Sequence, residues 1–225
     1  MKQVKAVIFD QDGLMFDTEK LAADAWNIVG KKYGIQVDED FLRDLRGTKP
    51  DRVQAAFTER FGTEIDYEAF REEKRSYSYR WIDENGVPVK KGLKELLAYL
   101  KEQGIPCAVA TASSSQWTQR NVKEAGISEF FKAYIYGDMV KEAKPDPAIF
   151  LLAAETLGEK PENCMVLEDS FNGIRAAAAG GFIPVMVPDL AAPMPELKSL
   201  LAAECESLLD VISLLEQRKE MNECG

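Results

Sequence analysis

The feature that most limits the fold of this chain is an alternation of short apolar runs with helical stretches after residue 86. The apolar runs are Ile105–Ala110, Ala133–Tyr136, Cys164–Leu167 and Ile183–Val187. Strands that are apolar on both faces and separated by helices are typical of a parallel sheet with helices on both sides. The sequence therefore predicts an α/β fold with a doubly wound parallel sheet.

A further strand, Val4–Phe9, opens the chain and stops abruptly at Asp10-Gln11-Asp12-Gly13. No comparable strand follows before residue 87, and apolar residues recur instead at helical spacing. The clearest such set is Ala22, Ala25, Trp26, Val29 and Tyr33. We expect residues 15–86 to form an inserted all-helical cap domain, and residues 1–14 and 87–225 to form the sheet domain.

Charge and residue types exclude several classes of function. The chain has 28 basic and 38 acidic residues, a balance that disfavours binding to nucleic acid or an anionic membrane. It contains no histidine, which excludes Ser-His-Asp and Cys-His catalysis and histidine-ligated zinc. No apolar run approaches the length of a membrane span or a signal peptide. We therefore expect a cytoplasmic protein that acts as a monomer or weak dimer.

Polar side chains follow several of the predicted strands at the point where each strand ends. They are Asp10, Asp12, Thr111, Ser113, Glu168 and Asp169, and Lys144 lies in a loop that reads KEAKPDP. Each alone is also typical of a turn or a helix cap. Ligands of an open parallel sheet bind beyond the carboxyl ends of its strands, so together these residues predict one site.

The chemistry available to such a site is phosphoryl transfer. Its carboxylates would repel one another unless a hard cation such as Mg²⁺ lay between them. Asp10 could then attack phosphorus, and Asp12 could protonate the leaving oxygen and later deprotonate water. Thr111, nearby backbone N–H groups and Lys144 would hold the phosphoryl oxygens.

Four segments in this chain resemble, in order, the four motifs of the haloacid dehalogenase superfamily. They are FDQDGLMFDTE, VATASS, KPDPAIF and VLEDSFNGI. The chain is most similar to the capped phosphatases and phosphomutases that include β-phosphoglucomutase, and the resemblance covers essentially its whole length. It implies a Rossmann-like sheet domain, with residues 15–86 corresponding to the helical cap.

The resemblance also implies roles for individual residues. Asp10 would be the nucleophile and Asp12 the general acid and base, and the presence of Asp12 favours phosphoryl transfer over dehalogenation. The implied phosphoryl-binding residues are Thr111 and Lys144, and Ala112 and Ser113 beside Thr111 are further candidate substrate-binding residues. The implied Mg²⁺ ligands are Asp10, the backbone carbonyl of Asp12, and Asp169, with Glu168 beside them.

Two departures from the mutases favour simple hydrolysis. The mutases of this group have a histidine where this chain has Ala22 and an arginine near Pro50. Here the same loop reads LRGTKPD, in which Arg46 and Lys49 are candidate substrate-binding residues. The sequence predicts a Mg²⁺-dependent phosphatase of a small phosphorylated metabolite, such as a sugar or polyol phosphate. A sugar-phosphate mutase is the alternative.

A signalling receiver is a third interpretation, because receivers also combine an acceptor aspartate with an acidic pair, a threonine and a lysine. A receiver has no use for a general acid two residues after the acceptor, or for a helical cap. Asp12 and residues 15–86 therefore favour an enzyme.

Overall fold

The computed structural model describes residues 3–45, 48, 50–189 and 195–223. Its centre is a parallel sheet of six strands in the order β3-β2-β1-β4-β5-β6. The strands are β1 (Ala6–Phe9), β2 (Cys107–Thr111), β3 (Phe131–Tyr136), β4 (Cys164–Glu168), β5 (Ile183–Met186) and β6 (Ala203–Glu204). The predicted doubly wound α/β fold is therefore confirmed. Strand β1 lies in the middle, with β2 and β4 on either side.

Helices lie between most successive strands, and one follows the last strand. Those between β1 and β2 are α1 (Thr18–Lys32), α2 (Glu39–Leu45), α3 (Pro50–Phe61), α4 (Tyr67–Asn85) and α5 (Leu93–Glu102). The later ones are α6 (Ser115–Glu124), α7 (Ala148–Leu157), α8 (Phe171–Ala179) and α9 (Leu208–Glu223). Ser170 caps α8, because its hydroxyl accepts a hydrogen bond from the Gly173 N–H at 3.1 Å.

The sheet separates two hydrophobic clusters, which explains why its inner strands β1, β2, β4 and β5 are buried along their whole length. In β1, Val7 and Phe9 face the cluster that includes the Leu96 and Leu97 side chains of α5. Ala6 and Ile8 face the opposite cluster, which includes residues of α7 and α8. Successive side chains of a strand point to opposite faces, so a strand buried on both sides shows no polar alternation.

Helices α1–α4 share an aromatic cluster of their own. Trp26, Phe41, Phe57 and Phe70 are buried in it, and the Phe57 and Phe70 rings lie 4.9 Å apart. The Lys32 ammonium and the Tyr33 hydroxyl both bind Glu73 at 2.9 Å and so join α1 to α4. This segment is helical as predicted, and its division from the sheet as a cap domain remains a prediction.

Two details differ from the sequence-based expectation. The apolar positions of α4 predict a less regular helix, yet it runs unbroken for 19 residues. Its start is fixed by Asp66, whose carboxylate accepts from the N–H groups of Glu68 and Ala69 at 3.0 and 3.2 Å. Strand β6 has no counterpart in the prediction, because two residues are too few to carry a pattern.

The described part of the chain shows the state of three cysteines and can be compared with the hydropathy expectation. Cys107, Cys164 and Cys205 are buried free thiols, whereas Cys224 lies outside the described residues. Across those same residues, every helix is too short or too polar to cross a bilayer.

Candidate active site

The predicted site residues meet at the carboxyl ends of β1, β2 and β4, which are neighbours in the sheet. The Asp10 N–H donates to the Leu167 carbonyl at 3.0 Å, which holds Asp10 against the end of β4. A cavity of about 260 Å³ opens at this end of the sheet. It is lined by Asp10, Asp12, Thr111, Ala112, Ser113, Lys144 and Asp169, and from the helical segment by Thr18, Glu19, Ala22, Thr48 and Ser78.

Lys144 links the first and fourth strands of the chain. Its ammonium donates to Asp10 Oδ1 at 2.5 Å, to Glu168 Oε1 at 2.6 Å and to the Ala110 carbonyl at 3.3 Å. Burial alone would lower the pKa of this buried lysine, but the charges of Asp10 and Glu168 outweigh burial and raise it. Lys144 therefore stays protonated at neutral pH.

The carboxylates around this lysine are crowded. Burial raises the pKa of Asp10 to about 8; Glu168 and Asp12 act in the same direction, and Lys144 opposes them. Burial also raises the pKa of Asp169, with further contributions from Glu168 and Asp10. One ammonium faces three carboxylates, so a divalent cation would relieve the remaining repulsion.

The oxygens of this group fit a small cation. One oxygen each from Asp10, Glu168 and Asp169 lies within 4.8 Å of the others. Glu168 is already occupied, because Oε1 binds Lys144 and Oε2 accepts from the Ser170 N–H and hydroxyl at 2.9 and 2.8 Å. No described residue donates to Asp10 Oδ2 or to the Asp169 carboxylate. Mg²⁺ prefers carboxylate oxygens, and these are the ones available.

Two glycines allow the carboxylates to approach the backbone. Gly13 has φ +84°, and a Cβ there would overlap the Asp169 carboxylate. A Cβ on Gly173 would overlap the Glu168 carboxylate. Both positions therefore require glycine for space, and Gly13 also requires it for its backbone conformation.

Asp12 is held by hydrogen bonds to both of its oxygens. Oδ1 accepts from the Thr18 hydroxyl at 2.6 Å and from the Trp117 indole N–H at 3.1 Å. Oδ2 accepts from the Ser113 hydroxyl at 2.6 Å. The Gln11 amide lies farther away, at 3.4 and 3.3 Å from the two oxygens. This carboxylate lines the cavity and can exchange a proton with a molecule bound there.

The remaining predicted residues divide into two groups. Thr111, Ala112 and Ser113 line the cavity, and the Thr111 hydroxyl accepts from the Ser113 N–H at 3.0 Å. Arg46 and Lys49, the predicted cap contacts, lie outside the described residues.

A second cavity of about 340 Å³ adjoins the first, and sequence reasoning did not identify its lining. One face of α4 contributes Tyr67, Arg71, Lys74 and Ser78. Burial, followed by the charge of Arg71, lowers the pKa of Lys74 to about 7. Its ammonium lies 3.3 Å from the centre of the Trp26 ring. The spacing of these four residues reveals a common helix face, but not what the face points towards.

Trp117 is the second functional candidate that the sequence did not reveal. It lies in the first turn of α6 and contacts Asp12, which is 105 residues earlier in the chain. The sequence points to it only by its place in α6, the helix that follows strand β2 and its predicted site residues.

Comparison with known proteins gives consistent matches. A family model described as haloacid dehalogenase-like hydrolase matches residues 4–181. A phosphorylated carbohydrates phosphatase from Thermotoga maritima is 30% identical over 222 residues, which are 97% of this chain and 100% of that protein. A fructose-1-phosphate phosphatase from Escherichia coli is 33% identical over 80% of this chain and 95% of its own length.

The fold also matches solved structures. A β-phosphoglucomutase from Clostridium difficile superposes with a TM-score of 0.81 at 26% identity, covering 99% of this chain and 100% of the mutase.

Proposed function

This chain belongs to the haloacid dehalogenase-like hydrolases, and we propose that it uses Mg²⁺ and an aspartyl-phosphate intermediate to hydrolyse a small phosphorylated carbohydrate or polyol. It is a phosphoric monoester hydrolase. The observation that carries the proposal is the pairing of Asp10 with Lys144 at 2.5 Å, with Asp12 lining the same cavity. A nucleophile, a cation and a proton carrier therefore meet around one space.

In the first step, Asp10 attacks phosphorus and an Asp10 oxygen–phosphorus bond forms. The bond from phosphorus to the ester oxygen breaks, and that oxygen leaves with the electron pair and takes a proton from Asp12. Lys144 offsets the negative charge that spreads over the phosphoryl oxygens. The Thr111 and Ser113 segment binds the same oxygens.

In the second step, water attacks the phosphorus of the aspartyl-phosphate while Asp12 accepts a proton from that water. The bond between phosphorus and the Asp10 oxygen breaks, which restores the Asp10 carboxylate and releases phosphate. Asp12 thus acts first as acid and then as base, and the enzyme returns to its starting protonation.

Asp10, Asp169 and the Asp12 backbone carbonyl would hold Mg²⁺, with Glu168 orienting Lys144. A bound Mg²⁺ supplies positive charge that neutralises the carboxylates and polarises the phosphoryl oxygens. The oxygens of Asp10 and Asp169 that accept no hydrogen bond from described residues support this assignment.

Helices α1–α4 are proposed to act as a cap, residues 15–86, that covers the substrate and excludes water. The second cavity favours a polar, anionic substrate, because Lys74 lines it and no carboxylate of a described residue pairs with this lysine. The names of the Thermotoga maritima and Escherichia coli relatives specify phosphorylated carbohydrates and fructose 1-phosphate, which agrees with that lining.

A sugar-phosphate mutase is the second candidate, because the Clostridium difficile structure of similar fold is a β-phosphoglucomutase. Ala22 counts against it. Ala22 lines both cavities, so the position at which the mutases have a histidine faces the substrate space and offers only a methyl group here.

A screen of phosphorylated metabolites with phosphate detection, in Mg²⁺ and in EDTA, tests the proposal. We expect Mg²⁺-dependent phosphate release that is greatest for sugar or polyol phosphates. Asp10→Asn should abolish it, whereas Asp24→Asn, an exposed change on α1, should not. Conversion of β-glucose 1-phosphate to glucose 6-phosphate without phosphate release would favour the mutase.

A further inference from the structure

Trp117 contacts both the proposed acid–base residue and the helical segment that faces it. Its indole N–H donates to Asp12 Oδ1 at 3.1 Å. Its ring packs on Tyr79 of α4, with the ring centres 5.3 Å apart. Trp117 also lines both cavities. One side chain thus joins the Asp12 carboxylate to the wall of the substrate space.

The chemistry of the indole distinguishes it from the other groups around Asp12. The hydroxyls of Thr18 and Ser113 can donate or accept, and the Gln11 amide has an oxygen as well as an NH₂ group. An indole N–H can only donate. Asp12 Oδ1 must therefore remain an acceptor while Trp117 binds it, whether Asp12 is ionised or protonated.

This contact favours one of the two positions at which Asp12 can carry a proton. A carboxyl oxygen without a proton of its own accepts the stronger hydrogen bond, so the indole favours the acid form that has its proton on Oδ2. Oδ2 faces Ser113, whose hydroxyl lies 2.6 Å away and can reverse to accept. Ser113 itself lines the first cavity, so Oδ2 is the oxygen on the side of residues 111–113, which are proposed to bind the phosphoryl group.

A neighbouring residue strengthens the contact between α6 and α4. Arg120, three residues after Trp117, donates to the Tyr79 carbonyl at 3.3 Å and to Asp83 Oδ1 at 2.6 Å. Its guanidinium carbon lies 4.6 Å from the centre of the Tyr79 ring. Tyr79 is thereby held in place from two positions of α6, which keeps its ring against Trp117.

We propose that Trp117 is a positioning residue for Asp12: it fixes Oδ1 as the accepting oxygen, leaves Oδ2 to exchange the proton, and connects this orientation to α4 through Tyr79. The inference rests on the proposed phosphatase function. Asp12 gives its proton to the leaving oxygen, so a misplaced Asp12 should slow the loss of a poor leaving group more than that of a good one.

The test compares kcat/KM for two substrates of nearly the same shape, phenyl phosphate and p-nitrophenyl phosphate, both assayed in Mg²⁺. Phenolate is the poorer leaving group and depends more on proton donation. Trp117→Phe removes the N–H and keeps an aromatic ring. Trp81→Phe makes the same change on α4 at a residue outside both cavity linings.

For Trp117→Phe we expect kcat/KM for phenyl phosphate to fall about tenfold, the lower end of what one hydrogen bond to a charged group contributes. The value for p-nitrophenyl phosphate should fall by less than about threefold, and Trp81→Phe should change neither. Equal losses for both substrates, or no loss for either, would overturn the inference. The proposed function is tested separately: it fails if the unchanged protein releases phosphate from none of the phosphorylated metabolites in the screen.

Proton NMR of the indole N–H groups provides a second readout that does not depend on activity. Asp12→Asn should shift the Trp117 indole signal and leave those of Trp26 and Trp81 in place. The Trp117 signal is identified by its absence from Trp117→Phe, or from Trp117→Tyr if the phenylalanine variant does not fold. An unmoved Trp117 signal in Asp12→Asn would contradict the proposed hydrogen bond.

Discussion

At the scale of single residues, the balance of charge around Lys144 governs the site. Its ammonium is shared by Asp10 and Glu168, while Asp169 has no ammonium or guanidinium partner among the described residues. Glu168 uses both oxygens to hold Lys144 and Ser170, so its role is to orient the lysine. The proposed nucleophile, Asp10, is thus held by a lysine that the Glu168 carboxylate keeps in place.

The sequence predicted this residue set but not its hydrogen bonds. Asp10 and Asp169 stand at strand ends, which parallel-sheet geometry brings together, and Lys144 belongs to a short loop motif. Trp117 and Lys74 could not be assigned in the same way. The contact of Trp117 depends on how α6 faces α4, and that of Lys74 on how α4 packs against α1. Local spacing does not encode this packing.

Asp12→Ala tests the role of the proposed acid and base. Turnover of a sugar phosphate should fall by about 10²–10⁴-fold, the usual contribution of a positioned general acid–base group. Steady-state phosphate release measures the loss, and circular dichroism verifies the fold. A change under about threefold would contradict the assignment.

At the scale of elements, the turn after β1 and the start of α8 set the distances within the site. Each has a glycine directly against a carboxylate, Gly13 against Asp169 and Gly173 against Glu168. A side chain at either position would overlap that carboxylate. The strands were predictable from their apolar runs, whereas several of their ends shifted by one or two residues. These ends depend on hydrogen bonds such as the Asp10 N–H to Leu167, which pattern alone does not specify.

Gly173→Ala should displace Glu168 and, through it, Lys144. We expect a large loss of kcat, because the new methyl group would overlap the Glu168 carboxylate. Gly181→Ala is the matched control, since Gly181 has φ +75° and open space around it. That control should cost roughly 1–2 kcal/mol of unfolding free energy but keep kcat. Similar activity in both variants would show that the close packing of Gly173 against Glu168 has no functional role.

At the scale of the whole molecule, a group of buried carboxylates lies at the carboxyl end of the sheet. Without a cation, their mutual repulsion lowers the free energy of unfolding. The fold class followed from the alternation of strands and helices, and the aromatic cluster of α1–α4 agrees with the predicted helical insertion. The cytoplasmic location and the monomeric or weakly dimeric state remain predictions. They depend on the protein's surface and surroundings, which the strand and helix pattern does not describe.

Stability without a cation should fall as pH rises. The pKa of Asp10 is 3.8 ordinarily and about 8 in the folded protein. Between these values the folded state keeps a proton that the unfolded state has released, so folding becomes less favourable as pH increases towards 8. Mg²⁺ competes with that proton and should bind more tightly at higher pH.

Thermal unfolding in Mg²⁺ and in EDTA measures this effect. The increase in Tm caused by Mg²⁺ should be larger at about pH 8 than at about pH 5. Asp169→Asn should raise Tm in EDTA at the higher pH and reduce the response to Mg²⁺, because it removes one negative charge and one ligand. An equal Mg²⁺ effect at both pH values would count against the cation site.

The most direct test of the aspartyl-phosphate mechanism is to look for phosphate on Asp10 itself. A single turnover is stopped with acid, the protein is digested, and the peptides are examined by mass spectrometry. We expect a phosphoryl group on the peptide that contains Asp10, and none in Asp10→Asn. Turnover by the unchanged protein that never places phosphate on this peptide would contradict the covalent mechanism.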